Sequence, residues 1–215
     1  MNFVAFSYQI FNETLSFRAK CIIFAVINRK LMCMENLKNA LKSIVPSLSK
    51  SDLDSKFPVI AELLMSNYGV ETQGQIYFFN EVEFYYYDPL YNDLTSSSKH
   101  RITYDRNALA GCWFIHNYGV DLTFTSNRDE GYGGGILIRS IEESGSQKAV
   151  VGPVKCVEAL WEEAVDAFIS TAPNPKIINI PKRDVELDVP TKRIKIDSEN
   201  KWRFTIKGKN VCELK

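Results

Sequence analysis

The stretch Phe79-Asn80-Glu81-Val82-Glu83-Phe84-Tyr85-Tyr86-Tyr87 lies between a turn signal at Gly74 and another at Asp88-Pro89. Its aromatic and β-branched residues predict a long β-strand. Successive side chains of a strand point to opposite faces, so one face carries the two acids and two of the phenols: Glu81, Glu83, Tyr85 and Tyr87. We interpret this face as something other than a core face. It is either exposed to solvent, the commoner case, or a site where a carboxylate acts beside an aromatic platform that can stack a flat ligand.

Length and composition fit one globular domain with an N-terminal extension. The chain has 215 residues, of which 45% are hydrophobic, and we assign residues 34–215 to the domain. Residues 1–33 are an extension or the result of a start site placed too far upstream, since Met32 and Met34 immediately precede the first well-formed helix. The apolar run at residues 21–27 is too short to cross a bilayer and no signal-peptide cleavage pattern follows it, so no membrane partner is expected.

The cysteine content indicates the redox environment of the protein. Five cysteines are widely spaced without a C-x-x-C motif, and the chain has two histidines. This favours reduced thiols in a cytoplasmic protein and argues against a structural zinc site.

The charge is unevenly distributed along the chain. Residues 1–33 hold four basic and one acidic residue, residues 34–175 hold eleven basic and nineteen acidic residues, and residues 176–215 hold eleven basic and six acidic residues. The net charges of the three segments are therefore +3, −8 and +5. The basic end could lie on a polyanion, although a charged tail is more often a solvated surface.

Short turns connect most of the other predicted elements. Apolar spacing and capping signals predict three helices: residues 35–45, about 57–65 after Ser51-Asp52, and a third from Gly152-Pro153 to Ala172-Pro173. A β-hairpin is predicted to turn at Asn117-Tyr118-Gly119, with further strands at 136–141, 193–196 and 202–207. Strands joined by turns, rather than alternating with helices, predict an α+β fold with a curved, mainly antiparallel sheet and helices packed around it.

Several of these segments, in this order, resemble motifs of the alkyladenine (methylpurine) DNA glycosylase family. The resemblance rests on segments between residues 74 and 208: Glu81-Val82-Glu83-Phe84-Tyr85 (family E-T-E-A-Y), Thr103 with Arg106-Asn107 (T-P-R-N), Tyr118-Gly119 (Y-G-M), Ile136-Leu137-Ile138-Arg139-Ser140-Ile141 (V-L-I-R-A-L), Gly152-Pro153-Val154-Lys155 with Ala159-Leu160 (G-P-G-K-L-C-x-A-L), and Arg193-Ile194 with Trp202-Arg203-Phe204 (R-I-G-I and W-R-F-Y). The chain also departs from the family. The family's second stacking tyrosine falls on Ile115, its pocket asparagine falls on Thr125 with Asn127 nearby, and its M-F-x-x-P-G segment before the hairpin is absent.

The resemblance implies a fold like the C-terminal domain of formyltransferases and a monomeric, monofunctional DNA glycosylase. Such an enzyme removes alkylated or deaminated purines from double-stranded DNA during base excision repair. Glu83 would be the general base, Tyr85 would stack on the flipped purine, and Tyr118 would fill the gap in the duplex. The other implied base-binding residues are His100, or else His116, together with Thr125 and Asn127. The implied DNA contacts are Lys155, Arg193, Arg203 and Arg139, although Arg139 could equally be a structural residue beside the site.

The chemistry of N-glycosidic cleavage explains the need for a carboxylate. The reaction passes through an oxocarbenium-like sugar, so a carboxylate must activate water and face the developing charge. Glu81 lies about 7 Å from Glu83, from twice the strand rise of ~3.3 Å, and is assigned a supporting role. No metal or organic cofactor is implied, because water is the nucleophile. The alternative is a non-catalytic nucleic-acid or partner-binding domain on the same fold, which the departures at Ile115 and Thr125 favour.

Overall fold

The computed structural model describes residues 36–90, 107–161, 174–196 and 198–213. Backbone contacts divide the chain into two units, Met1–Asn36 and Leu37–Lys215, and the sheet and the site both belong to the second unit. The predicted extension at residues 1–33 and the candidate residue His100 lie outside the described residues.

The described part of the chain is an α+β structure built on one curved antiparallel sheet, which confirms the predicted class. Its strands, numbered in chain order, are β1 (Tyr68–Thr72), β2 (Gln75–Tyr87), β3 (Trp113–His116), β4 (Gly119–Thr123), β5 (Gly133–Glu143), β6 (Ala149–Val151), β7 (Lys176–Asn179) and β8 (Arg203–Thr205). Three helices accompany them: α1 (36–42), α2 (Lys50–Asn67) and α3 (Pro153–Leu160). None of these described helices has both the length and the apolar character needed to cross a membrane.

Strand β2 lies at the centre of the sheet. The strand order is β3-β4-β5-β2-β1-β7, and neighbouring strands pair in antiparallel fashion. Strand β5 covers one edge of β2 from Tyr77 to Tyr87. The other edge is shared, because β1 pairs with the first residues of β2 and β8 pairs with residues 81–83. The predicted long strand is therefore confirmed, and it is the strand on which most of the sheet is assembled.

The predicted hairpin is also confirmed, whereas one predicted strand is wrong. Strands β3 and β4 pair with His116 opposite Gly119, which leaves Asn117 and Tyr118 as a two-residue turn. Residues 193–196 do not form a strand. The backbone of Lys195 has a φ of 60°, in the left-handed region. In addition, the Ile194 N–H donates to the Glu83 carboxylate at 2.7 Å rather than to a neighbouring strand.

Three helix boundaries differ from the prediction, and the first is the end of α1, which lies at residue 42 instead of 45. Helix α2 begins at Lys50, well before the predicted start near residue 57. The reason is a capping box: the Asp52 N–H donates to Ser49 Oγ at 3.1 Å, and the Asp52 carboxylate accepts from the Ser49 N–H at 2.9 Å. Helix α3 begins at Pro153 as predicted, but it ends at Leu160, where Trp161 leaves the helical conformation. Residues 162–173, the rest of the predicted third helix, lie outside the described residues.

One face of the sheet packs against α2 and forms an aromatic core. Strand β2 contributes Val82, Phe84 and Tyr86 to this face, and all three are buried. The ring of Phe57 in α2 lies 4.5 Å from that of Phe84 and 5.0 Å from that of Trp202, between centroids. Such large aromatic side chains bury much apolar surface, so this face supplies a major part of the stability of the domain.

The opposite face carries the acids. Directly paired residues of an antiparallel sheet point to the same side, so the register defines a row of side chains across this face. From edge to centre the row contains Phe114, Asp121, Leu137, Glu83 and Arg203. Glu83 therefore lies between an apolar residue of β5 and an arginine of β8.

Two bulges next to this row redirect side chains towards the acids. Asn80 has no partner on β5, and Arg139 has none on β2, because the register shifts on both sides of Glu81. An extra residue in one strand bends it and changes where its side chains point. As a result Arg139 hydrogen-bonds to the acids, while the adjacent Ser140, paired with Glu81, bonds to the Asn210 carbonyl at 2.7 Å on the same face.

The close approach of β5 to β2 can be tested at Gly134. A Cβ atom at this position would lie 2.1 Å from the Tyr85 carbonyl oxygen. We expect Gly134→Ala to lower the free energy of unfolding by at least about 2 kcal/mol, the scale of overpacking a rigid site. Gly145→Ala is the control, because a Cβ there meets no atom within 4 Å. Urea unfolding measures both variants, and a Gly134→Ala protein as stable as the parent would contradict this strand pairing.

Candidate functional site

Both carboxylates of strand β2 are fully buried. Glu81 and Glu83 have 0% of their surface exposed, so the solvent-exposed alternative for this face is wrong. The part of the face that carries the acids is interior, which corrects the interpretation that it lies outside the core, while Tyr85 and Tyr87 at the end of the strand are partly exposed. Helix α3 packs against β4 and β5 beside this face, and the Cys212 amide of the C-terminal segment reaches Glu81. Burying two carboxylates is costly unless each is paired and hydrogen-bonded, so their partners decide what this face can do.

Arg139 of β5 joins the two acids. Its Nε donates to Glu81 Oε1 at 3.1 Å, and its Nη1 donates to Glu83 Oε2 at 3.2 Å. One guanidinium therefore bridges both carboxylates with two different nitrogens. This arrangement fixes the orientation of Glu83 through a rigid, planar group that is itself fixed by Glu81.

Glu81 connects three parts of the fold. Arg203 Nε of β8 donates to Glu81 Oε1 at 2.7 Å, and the Cys212 N–H donates to Glu81 Oε2 at 2.6 Å. Arg203 Nη2 in turn donates to the Cys212 carbonyl at 2.7 Å. Glu81 thus ties β2 to β5, to β8 and to the C-terminal segment, which agrees with the supporting role that we predicted for it.

Glu83 has a different set of partners. The Tyr85 hydroxyl donates to Glu83 Oε2 at 2.8 Å, and the Ile194 N–H donates to Glu83 Oε1 at 2.7 Å. The Arg193 guanidinium lies 4.8 Å from the centre of the Tyr85 ring and donates to the Phe84 carbonyl at 3.1 Å. Glu83 is therefore held by an arginine, a phenol and a backbone amide, and the phenol is backed by a second arginine.

Burial changes the acidity of this group. It raises the pKa of the Glu83 carboxyl above its ordinary value of 4.5, although Arg139 and the hydrogen bonds from Ile194 and Tyr85 act in the opposite direction. Burial, followed by the charge of Glu83, raises the pKa of the Tyr85 phenol well above 10. Burial alone would lower the pKa of Arg139, but the neighbouring acidic groups, Glu83 first and then Cys212 and Glu81, outweigh it and the pKa is raised. Tyr85 is therefore a hydrogen-bond donor to Glu83 and not a second base.

The remaining predicted site residues lie elsewhere. Thr125 lies two residues beyond Thr123, which is in register with Gly135 and hence with Tyr85, so Thr125 is about 7 Å farther along the strand direction. The Asn127 side chain organises its own turn, where Oδ1 accepts the Asp129 N–H at 3.0 Å and Nδ2 donates to Glu130 at 2.8 Å. The structure does not bring either residue into the group around Glu83.

Two of the five predicted DNA contacts are exposed, and three, Arg139, Arg193 and Arg203, are buried. Tyr118 at the hairpin tip is 48% exposed, and Lys155 on α3 is exposed as well. Arg193 and Arg203 are only 3% and 5% exposed, and they donate hydrogen bonds to protein carbonyls and to Glu81. The prediction that these two arginines contact phosphates does not fit their burial. Both carry charge inside the protein, as Arg139 does.

Sequence reasoning missed two members of the site and one neighbouring pair. The backbone amides of Ile194 and Cys212 carry no signal in the sequence, because their role depends only on where the chain passes. The pair formed by His116 and Asp121, with 3.2 Å between Nε2 and Oδ1, was also missed. Its signal was present, because a two-residue turn pairs His116 with Gly119 and so places Asp121 diagonally across from His116 on the same face. The described residues contain no group of His, Cys, Asp or Glu side chains placed to hold a metal.

Comparison with known proteins adds no assignment. No protein-family model matches the chain, and no curated protein matches its sequence significantly. The resemblance to the alkyladenine DNA glycosylase family therefore stays a prediction that rests on the motifs quoted above.

The raised pKa of Glu83 predicts how stability depends on pH. Between the unfolded value near 4.5 and the higher folded value, the native state keeps a proton that the unfolded chain has lost. The contribution of Glu83 to the free energy of unfolding is thus fully present below pH 4.5 and is lost as the pH rises through the folded pKa, with a slope of up to about 1.4 kcal/mol per pH unit. In Glu83→Gln this slope should be absent. Urea unfolding of parent and variant across pH 4 to 8 measures it, and parallel stability curves would contradict the prediction.

Proposed function

We propose that this protein is a monofunctional DNA glycosylase that hydrolyses the N-glycosidic bond of alkylated or deaminated purines, with Glu83 as the general base. The observation that carries the proposal is the environment of Glu83, a buried carboxyl whose pKa is raised by burial and whose orientation is fixed by Arg139, Tyr85 and the Ile194 amide. A higher pKa makes a carboxylate a stronger base, and ionisable groups perturbed in this way are concentrated at functional sites.

Glu83 has an acceptor position that no donor among the described residues uses. A carboxylate offers about four acceptor positions. Among the described residues, Arg139 and Tyr85 donate to Oε2 and Ile194 donates to Oε1. We place the attacking water at the second position of Oε1. Its oxygen bonds to C1′ of the sugar, the C1′–N bond breaks, the electron pair leaves with the purine, and Glu83 takes the proton.

Tyr85 defines the side from which a purine would approach. Tyr85 is partly exposed as a residue, in contrast to both glutamates, although its hydroxyl is buried against Glu83. Arg193 covers one face of the ring, and a purine would stack on the other. An aromatic next to the base is what a flipped nucleotide requires, because the stacking lost in the duplex must be replaced in the pocket.

Arg139 and Glu81 have supporting roles in this proposal. The charge of Arg139 opposes the effect of burial on the Glu83 pKa, so that more of the carboxylate form is present at a given pH. Glu81 holds Arg139 through Nε while Nη1 is used on Glu83. The general base is thus oriented by a residue that has its own fixed partner, which is the usual requirement for a precise site.

A second candidate function is a non-catalytic domain that binds nucleic acid or a protein partner. One observation favours it: the two buried carboxylates are balanced by Arg139 and Arg203. Such a network can have a purely structural role, in which it holds β2, β5 and β8 together. The inward position of Arg193 and Arg203 also removes two charges from any phosphate-binding surface. Enzyme and binding domain differ in one measurable property, the release of a purine.

Glu83→Gln tests the assignment of the base. We expect it to slow purine release from a hypoxanthine duplex by roughly 10²–10⁴-fold, the usual contribution of a positioned base, while binding changes little. A glutamine keeps the shape but can neither take the proton nor face the sugar cation. Single-turnover cleavage measures the effect, with Glu62→Gln, on the exposed surface of α2, as the matched control that should keep the parent rate. Equal rates for parent and Glu83→Gln would remove Glu83 from the role, and a parent inactive on both hypoxanthine and 3-methyladenine duplexes would favour the binding domain.

Tyr118→Ala tests the proposed role of the hairpin tip. An aromatic that fills a vacated stack contributes to binding, so we expect affinity for the lesion duplex to fall by roughly tenfold or more. The rate of bond cleavage at saturating enzyme should change less. Fluorescence anisotropy measures the affinity, and Val189→Ala, at a residue that is 81% exposed, serves as the control. Unchanged affinity in Tyr118→Ala would show that the tip does not enter the duplex.

A further inference from the structure

The imidazole of His116, the last residue of β3, is hydrogen-bonded at both ring nitrogens. The Tyr118 backbone N–H donates to Nδ1 at 3.2 Å, and Nε2 lies 3.2 Å from Asp121 Oδ1. Because Nδ1 accepts a hydrogen bond, the neutral ring carries its own proton on Nε2 and donates it to Asp121. The ring is therefore held from two sides, by β4 through Asp121 and by the hairpin turn through Tyr118.

Packing around the turn supports the same geometry. The centres of the His116 and Tyr118 rings are 6.1 Å apart, and the centre of the Phe114 ring lies 5.7 Å from that of the imidazole. Gly119, the residue after Tyr118, has a φ of 141°, and a Cβ there would lie 2.8 Å from Pro153 Cβ. Helix α3 thus packs beside the turn at Gly119, and the imidazole accepts a hydrogen bond from the turn at Tyr118.

Asp121, which hydrogen-bonds to the imidazole, lies in the same row of side chains as Glu83. Asp121 is in register with Leu137, and Leu137 is in register with Glu83. Two strand spacings of ~4.8 Å and two residue steps of ~3.3 Å place the Cα of Gly119 about 12 Å from that of Glu83. Asp121 therefore connects the hairpin tip to the carboxylate through the rigid part of the sheet.

We infer that Asp121 and His116 are positioning residues that fix the backbone of Tyr118 relative to Glu83. The inference rests on the proposed function, in which Tyr118 enters the duplex, and it adds the residues that prepare Tyr118 for that role. An exposed side chain on a mobile turn would lose conformational freedom on binding, and this loss weakens affinity. A turn whose amide is already bonded to an anchored imidazole loses less, so the His116 contact strengthens binding without touching DNA.

Two substitutions of His116 separate its two hydrogen bonds. In His116→Asn, the side-chain Oδ1 takes the place of Nδ1 and can accept the Tyr118 N–H, whereas the link to Asp121 is lost. In His116→Gln, the terminal amide can reach Asp121, but no acceptor stands at the Nδ1 position. We expect hydrogen exchange of the Tyr118 amide, followed by NMR, to be about tenfold faster in His116→Gln and much closer to the parent rate in His116→Asn.

Binding of a duplex with a single hypoxanthine gives the functional readout. We expect His116→Gln to bind about fivefold to tenfold more weakly than the parent, and His116→Asn to recover most of that loss. In a Tyr118→Ala background, His116→Gln should have no further effect, because the side chain that it positions is gone. Melting temperatures of all variants show whether a loss of binding is only a loss of folded protein.

The two levels of the proposal fail in different ways. Identical Tyr118 amide exchange in the parent and His116→Gln would overturn the positioning role, and so would a His116→Gln effect that persists in full without the Tyr118 side chain. A parent that binds no lesion duplex would overturn the proposed function. In that case the exchange rates of the Tyr118 amide in the two His116 variants alone decide whether His116 fixes the backbone of Tyr118.

Discussion

Charge compensation around Glu81 is the interaction on which the rest of the structure depends. Its carboxylate is buried at the centre of the sheet and receives Arg139 from β5, Arg203 from β8 and the Cys212 amide from the C-terminal segment. Removing one partner from such a group leaves an uncompensated buried charge, which typically costs about 3–5 kcal/mol. The two neighbouring strands and the C-terminal segment therefore each supply a donor that this buried side chain requires.

The two faces of β2 have different roles, one in the aromatic core and the other in the charged network. One face gives its aromatic residues to the core with α2, where Phe57 and Phe84 lie 4.5 Å apart. The other face holds the charged network, so Glu83 stands on a strand that the core keeps rigid. A carboxylate placed in this way cannot relax towards solvent, and its raised pKa is the direct result. Asp121, which lies below the hairpin tip, is paired with Leu137, and Leu137 is paired with Glu83. The sheet therefore also sets the distance between the hairpin and Glu83.

Most of the fold was predictable because its signals are local. The long strand around Phe84, the hairpin at Tyr118 and the start of α3 at Pro153 each follow from residue type and short-range spacing. The failures have tertiary causes. Residues 193–196 alternate like a strand, but the Ile194 amide is used by Glu83 instead of a neighbouring strand. Helix α2 begins at Lys50 because of the Ser49 capping box, a signal that was visible in the sequence and not used.

For the candidate site, the sequence by itself determined which strand carries the acids and that both share one face with Tyr85, because strand periodicity requires it. It did not determine that this face is buried. That outcome depends on Arg139, redirected by a bulge, on Arg203 from a strand far along the chain, and on the Cys212 and Ile194 amides. Only the tertiary structure brings these groups together, because the free energy that permits a buried carboxylate comes from partners that are distant in sequence.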